Sequence, residues 1–227
     1  MSTDPSTWTA VRITFAVAAA STAALLVLAT PLAWWLARTR CRCRPWVEAL
    51  LTLPLVLPPT VIGFYLLVAL GPDGPIGGPW EAVGGPRLVF SFAGVVIGSI
   101  VFSLPFVLLP LVNAFRAIGE RPLEVAATLG ATRLDRFFSV ALPIARPAFT
   151  TAAVMGFAHT VGEFGVVLMI GGNVPGETQV LSIALYEHVE LLRYDEAHAI
   201  AGGLIAFSLL VLVFVQSRAR VVPTGGA

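Results

Sequence analysis

Residues 88–115 read LVFSFAGVVIGSIVFSLPFVLLPLVNAF and contain no charged side chain. A helix needs about 20 mostly apolar residues to cross the roughly 30 Å hydrocarbon core of a bilayer, so this stretch is long enough to span a membrane. Of the whole chain, 57% of the residues are hydrophobic and 12% are charged, against about 45–50% and about 25% in soluble domains. The sequence therefore predicts an all-α integral membrane protein.

Further apolar runs flank this one. They cover residues 13–37, 49–72, 147–171 and 197–217. Glu163 interrupts the run at 147–171, and residues 178–192 have too short an uncharged part to cross alone. We therefore expect about five transmembrane helices plus a short re-entrant helix on the outer side. They form one membrane domain over residues 1–227, which ends in a short cytoplasmic tail at 218–227.

The arginines predict the orientation, because short cytoplasmic loops collect them. One side of the predicted arrangement holds Arg38, Arg40, Arg42, Arg44, Arg116, Arg121, Arg133, Arg136, Arg146, Arg218 and Arg220. The other side holds Arg12, Arg87 and Arg193. We therefore expect the N-terminus outside the cell and the C-terminus in the cytoplasm.

Two of the runs contain prolines: Pro54, Pro58, Pro59, Pro105 and Pro110. Each removes a backbone donor and kinks a helix, and such breaks are tolerated at membrane depth where neighbouring helices or a wet cavity satisfy the freed carbonyls. Proline is also commoner in membrane helices in general. Five together favour the core of a multi-helix transporter over a simple anchor.

The composition excludes several other classes. The chain contains no lysine, which a Walker A nucleotide site requires, so any ATP must be hydrolysed by another chain. A formal charge of +1 does not indicate binding to nucleic acid. Cys41 and Cys43 lie in an arginine-rich, cytoplasmic stretch, which predicts reduced thiols. The His and acidic residues between His188 and His198 form no compact ligand motif, so we expect no metal site.

A polar loop at 116–147 separates the third and fourth predicted spans. Pro122 suits the first turn of a helix, Glu124 complements the positive end of its dipole, and Gly130 can supply a left-handed stop. The loop thus predicts a two-turn helix with a face of small residues. These helix signals alone are equally consistent with an ordinary amphipathic helix that only connects the two spans.

The same loop resembles the EAA loop of ABC importer permeases. The resemblance rests on Glu124, Val125, Ala126, Gly130, Val140, Leu142 and Pro143, with Val125 and Val140 departing mildly from the pattern. In that family the loop is a coupling helix that docks into a groove of an ATPase subunit, and the membrane fold is the type I importer permease fold.

The resemblance also implies an assembly. It predicts a homodimer in the bacterial cytoplasmic membrane with two ATP-binding cassette subunits and an external binding protein. The chain itself then has no cofactor and no catalytic residue, and the partner ATPase holds ATP and Mg. Substrate moves by alternating access.

Three segments resemble molybdate permeases. They are 53–60, which reads LPLVLPPT, 162–165, which reads GEFG, and 173–178, which reads NVPGET. Sulfate permeases share the first two segments, so the turn at 173–178 favours molybdate or tungstate. A sulfate or thiosulfate importer remains the alternative.

Thr60, His159 and Glu163 are the candidate residues of the pathway or gate. A charge in the membrane is costly, so Glu163 should face the bundle or a wet cavity. His159 precedes it by one helical turn and is a possible partner. The alternative for Glu163 is a helix-packing carboxyl group, since a negative charge repels an anion. An intramembrane hydrolase built on this pair, or a passive anion channel, would leave the loop at 116–147 unexplained.

Overall fold

The structure, a computed structural model, describes the backbone of residues 5–219 and the side chains of 7–217. Within these residues the ordered elements are helices, and four of them are long and apolar enough to cross a membrane. A bent helix pair makes a fifth if its two parts together form one span. The architecture agrees with the predicted all-α membrane fold. Of the predicted tail at 218–227, residues 220–227 lie outside the described part of the chain.

Three long helices form the centre of the fold: α1 (Pro5–Arg38), α5 (Phe92–Ala117) and α8 (Leu142–Gly162). All three pack against one another. Their shared core consists of fully buried side chains, including Leu25, Ala29, Leu36, Leu108, Leu111, Phe115, Ala145 and Ala152. The predicted span at 88–115 is thus confirmed as a central helix, although it begins at Phe92 and continues as a helix through Pro105 and Pro110.

The predicted run at 49–72 is broken in the structure. It consists of α2 (Arg44–Thr52), a 3₁₀ turn (Leu53–Leu55) and α3 (Pro59–Leu70), with a bend of 107° between the two parts. Pro58 has φ −55° and ψ 135°, outside the helical region. The ring of the following Pro59 disfavours the helical conformation at this position, which is consistent with the break.

The loop between α3 and α5 contains α4 (Gly77–Ala82). On the other side of the bundle, the loop at 116–147 contains α6 (Arg121–Thr128), α7 (Arg133–Arg136) and a π-helical turn (Phe137–Ala141) that leads directly into α8. The fourth span therefore starts as a helix before Pro147, earlier than predicted. It stops at Glu163 and resumes as α9 (Gly165–Gly171).

The last two helices are α10 (Leu181–Glu190) and α11 (Tyr194–Ala219). The short α10 corresponds to the predicted short helix, and its first turn is buried. The Leu181 N–H donates to Thr14 Oγ1 at 2.8 Å, which ties α10 to α1. Much of α11 has exposed apolar side chains.

The connection between α1 and α2 differs from the sequence prediction. Cys41 and Cys43 form a disulfide across one intervening residue, so the expectation of two reduced thiols is wrong in this structure. Both residues are exposed in the loop.

Candidate coupling loop and transport pathway

Helix α6, the candidate coupling helix, is attached to the membrane bundle by one apolar side chain. Leu123 is 7% exposed and belongs to the same core cluster as Phe115 and Ile118. Val140 and Phe137 of the π-helical turn pack against this cluster. The attachment fixes one face of α6 against the bundle and leaves the remaining faces outside it.

The end of α6 is closed by a Schellman motif. The Gly130 N–H donates to the Ala127 carbonyl, and the Ala131 N–H donates to the Ala126 carbonyl, each at 3.0 Å. Gly130 has φ +86°, a left-handed conformation that a side chain disfavours. No atom lies within 4 Å of the position that a Cβ on Gly130 would occupy. The glycine is therefore required by the backbone conformation and not by close packing, as predicted.

The face of α6 that points away from the bundle combines a carboxylate with apolar groups. Glu124 is exposed, and its carboxylate makes no hydrogen bond or ion pair with the described residues. Val125 is 60% exposed and Leu129 is 83% exposed. Ala126 is half-buried. An apolar surface of this kind outside the bundle is typical of a protein interface.

Leu142 and Pro143 connect this loop to α8. Both are half-buried, and Pro143 lies in the first turn of α8. The Leu142 N–H donates to the Phe137 carbonyl, an i to i−5 bond, and the π-helical turn ends here. Pro143 cannot donate from its nitrogen, which favours such an irregular turn immediately before it. Phe137 also contacts Trp34 edge-to-face, with ring centroids 5.1 Å apart. Movement of the loop would therefore be transmitted to both α1 and α8.

Glu163 caps the helix that follows the break in the fourth span. Its Oε1 accepts hydrogen bonds from the N–H groups of Val166 at 2.8 Å and Val167 at 3.1 Å. These amides belong to the first turn of α9, where a helix leaves its donors unpaired and favours negative charge. Glu163 is 4% exposed, and its Oε2 has no hydrogen-bond partner among the described residues.

The break is also tied to α10. The Ser182 Oγ donates to the Glu163 carbonyl at 2.5 Å. Ser182 is buried in the first turn of α10. A chain break at membrane depth leaves carbonyls that need donors, and this hydroxyl supplies one of them.

His159 does not pair with Glu163, contrary to the proposed interaction between them. Its Nδ1 lies 2.9 Å from Ser103 Oγ on α5, and Ser103 Oγ lies 3.0 Å from Thr160 Oγ1. The imidazole stacks on Phe106 with ring centroids 3.7 Å apart. Because both side chains of the supposed pair have other partners, the intramembrane hydrolase has no acid–base dyad here.

Thr60 lies where the two broken spans meet. It is exposed in the first turn of α3, directly after Pro59. A Cβ on Gly165 would lie 2.9 Å from Pro59 Cβ and 3.5 Å from the Thr60 nitrogen. The start of α3 therefore contacts the start of α9. This brings Thr60 close to the helix that Glu163 caps, whereas His159 belongs to a separate polar cluster between α5 and α8.

Sequence reasoning missed Ser103 and Ser182, since an isolated serine in an apolar run has no distinctive pattern. It also missed the role of Gly165. The signal for the capping role of Glu163 was present, because an acidic residue just before an apolar helix is typical of a helix start.

Comparison with known proteins shows the family of the chain. The sequence profile of the family described as "Binding-protein-dependent transport system inner membrane component" matches residues 29–223. The chain belongs to this family. It is a transport subunit of an inner membrane. The identification agrees with the long apolar helices described above.

Several relatives carry transport names. The molybdenum transport system permease protein ModB of Azotobacter vinelandii is 57% identical over 211 residues, covering 93% of each chain. The protein of the same name from Mycobacterium bovis is 38% identical over 216 residues, covering 95% of this chain and 81% of the relative. The sulfate transport system permease protein CysT of Escherichia coli is 33% identical over 186 residues, covering 82% of this chain and 67% of CysT.

A solved structure has the same fold. The crystal structure of a bacterial ABC transporter involved in the import of the acidic polysaccharide alginate contains a chain that aligns with a TM-score of 0.76. The alignment covers 97% of this chain and 81% of that chain at 18% identity. At this identity the match concerns the fold alone, and it agrees with the predicted importer permease fold.

Proposed function

We propose that this chain is the transmembrane permease of an ATP-driven importer for molybdate or tungstate. The observation that carries the proposal is the 57% identity, over 93% of both chains, to a molybdenum transport system permease. The turn at 173–178 supports the same cargo by its resemblance to molybdate permeases. The chain performs no chemistry on the anion, and energy comes from ATP hydrolysed with Mg by a partner subunit.

The exposed face of α6, which points away from the bundle, is the proposed docking surface for that ATPase. Glu124 supplies a charged anchor, while Val125 and Leu129 supply exposed apolar contacts. Ala126 is small enough to permit close approach. Leu123 holds the helix to the bundle from the opposite face, so a push on α6 reaches the core around Phe115. This is the geometry needed to couple nucleotide-driven movement of the ATPase to movement of α8.

The meeting point of the two broken spans is the proposed gate. A hydrated dianion cannot be buried in lipid at acceptable cost, so it passes only when a wet cavity opens between helices. Short helices that end at membrane depth, such as α3 and α9, can move relative to each other without breaking a continuous ladder of hydrogen bonds. Thr60 lies at this point. Glu163 stabilises the start of α9 by accepting a hydrogen bond from the Val166 N–H. His159 contributes a polar group on the α5–α8 side.

The assembly is proposed to contain two copies of the chain, two ATPase subunits and an external molybdate-binding protein in the bacterial cytoplasmic membrane. Exposed apolar side chains on α3, namely Phe64, Tyr65 and Val68, offer one surface that a second copy could cover. The N-terminus faces outward and the C-terminus faces the cytoplasm.

The cargo is tested in liposomes that contain the permease, its ATPase and its cognate binding protein. ATP-dependent uptake of molybdate, tungstate and sulfate is compared, with liposomes lacking the binding protein as the control. We expect molybdate and tungstate to accumulate. Sulfate uptake without either of the other anions would support the second candidate, a sulfate importer, which the 33% identity to a sulfate permease favours. That result would change the cargo but leave the importer assignment intact.

A further inference from the structure

A polar pocket of about 260 Å³ opens where α1 and α5 end and α2 begins. Four arginine side chains line it: Arg38, Arg40, Arg44 and Arg116. Glu120 is the one acidic residue among the described residues that line the pocket. The ends of two spans meet here, so the pocket lies at a surface of the membrane.

The pocket has more positive than negative charge. Arg116 Nη2 donates to both oxygens of Glu48 at 3.1 Å, and Arg44 Nε lies 3.6 Å from Glu48 as well. A single carboxylate thus neutralises two guanidinium groups in part. Arg40 lies 3.7 Å from Glu120, in a pair that is mostly exposed. The two carboxylates leave an excess of positive charge, which attracts an anion.

Two of the guanidinium groups are already held in place. Arg38 Nη2 donates to the Gly119 carbonyl at 3.0 Å, and its guanidinium lies 4.6 Å from the centre of the Trp34 ring. Arg116 is held by Glu48, while its Nε is buried without an acceptor among the described residues. Fixed guanidinium forks bind phosphate oxygens well because little side-chain freedom is lost on binding.

Nearby aromatic side chains indicate the depth of the pocket. Trp35, in the last turn of α1, is 40% exposed, and Trp46, in the first turn of α2, is 81% exposed. Tryptophan is enriched at the level of the lipid headgroups. Basic pockets between membrane helices at this level bind anionic headgroups. A lipid phosphate can therefore reach the pocket from the side, without leaving the bilayer.

We propose that this pocket binds the phosphate group of an anionic phospholipid. The bound phosphate lies beside the start of the coupling helix, since Glu120 is the residue before α6. The proposal does not depend on which anion the importer carries. A free phosphate or an oxyanion from the cytoplasm has similar chemistry, and the test separates these sources.

The full-length chain, purified in detergent, is titrated with phosphatidylglycerol, with phosphatidylcholine, and separately with inorganic phosphate and molybdate. Native mass spectrometry reads lipid binding, and calorimetry reads binding of the small anions. The variant is Arg40→Gln combined with Arg44→Gln. The matched control is Arg42→Gln, which removes an exposed charge from the same loop but outside the pocket wall.

We expect phosphatidylglycerol to bind more tightly than phosphatidylcholine. The double variant should bind phosphatidylglycerol about tenfold more weakly, and the control should change binding less than about twofold. Equal weakening by Arg42→Gln would overturn the proposal, because it would indicate general surface charge. So would tight binding of inorganic phosphate or molybdate without lipid preference. If the double variant fails to fold, Arg40→Gln alone is used, since its side chain is 91% exposed, and about a threefold loss is expected.

Discussion

Gly165 and Pro59 bring the two broken spans into contact. A Cβ on Gly165 would lie 2.9 Å from Pro59 Cβ and 3.0 Å from its Cγ, closer than carbon atoms normally approach. The proline ring is rigid and begins α3, so it has little freedom to move aside. The absence of a side chain at Gly165 is therefore what allows α9 to begin against α3.

Gly165→Ala should destabilise this contact by about 1–3 kcal/mol, the usual cost of an added group in a packed site. Gly162→Ala is the matched control, because no atom lies within 4 Å of the Cβ position at Gly162. Thermal unfolding in detergent and ATP-dependent uptake measure the two effects. We expect a lower melting temperature and reduced uptake for Gly165→Ala alone. Equal behaviour of the two variants would contradict the assigned contact.

Two variants separate the helix-capping role of Glu163 from the role of its negative charge. In Glu163→Gln the amide oxygen can still accept from Val166 and Val167, whereas Glu163→Ala leaves both buried N–H groups without this acceptor. We expect Glu163→Ala to lose at least about 1 kcal/mol of stability. Glu163→Gln should keep most of the stability and most of the uptake. If Glu163→Gln abolishes uptake in a stably folded protein, the charge itself serves transport and the capping role is insufficient.

The sequence predicted the apolar helices and the stop of α6 well, because both depend on local chemistry. The uncharged run at 88–115 contains most of α5, and Gly130 has the left-handed conformation expected of a helix stop. Each of these features follows from a few neighbouring residues.

The sequence could not predict which polar groups meet across helices. His159 and Glu163 are spaced for pairing on one continuous helix, but the helix ends at Gly162 and Glu163 turns to α9. His159 instead meets Ser103, which is 56 residues away. The 107° bend between α2 and α3 was also beyond prediction, since prolines indicate a break but not its angle.

The orientation predicted from the arginines determines how the two ends should be labelled. Ser2→Cys and Gly226→Cys, each in a background with Cys41 and Cys43 replaced by serine, lie outside the described residues. A membrane-impermeant thiol reagent applied to right-side-out and inverted vesicles should label them from opposite sides, because most arginines lie on the side of the C-terminus. Labelling of both positions from one side would mean an even number of spans.

The last prediction concerns α6, the proposed coupling helix, and its variants at Gly130 and Glu124. Gly130→Pro cannot adopt φ +86° and also loses the N–H that donates to Ala127, so the Schellman motif cannot form. Gly130→Ala keeps that N–H and strains the backbone by about 1–2 kcal/mol. Glu124→Arg instead keeps the backbone hydrogen bonds of α6 and reverses the charge at its exposed face, although a positive side chain in the first turn also opposes the helix dipole.

We expect Gly130→Pro and Glu124→Arg to insert normally but to bind the ATPase about tenfold more weakly, as for loss of a strong interface contact. Gly130→Ala should have an intermediate effect. Asp73→Arg, an exposed charge reversal outside the loop at 116–147, is the control and should bind the ATPase normally. Co-purification of the ATPase and ATP-dependent uptake are measured together. Wild-type coupling in both Gly130→Pro and Glu124→Arg would show that the ATPase docks elsewhere on the chain.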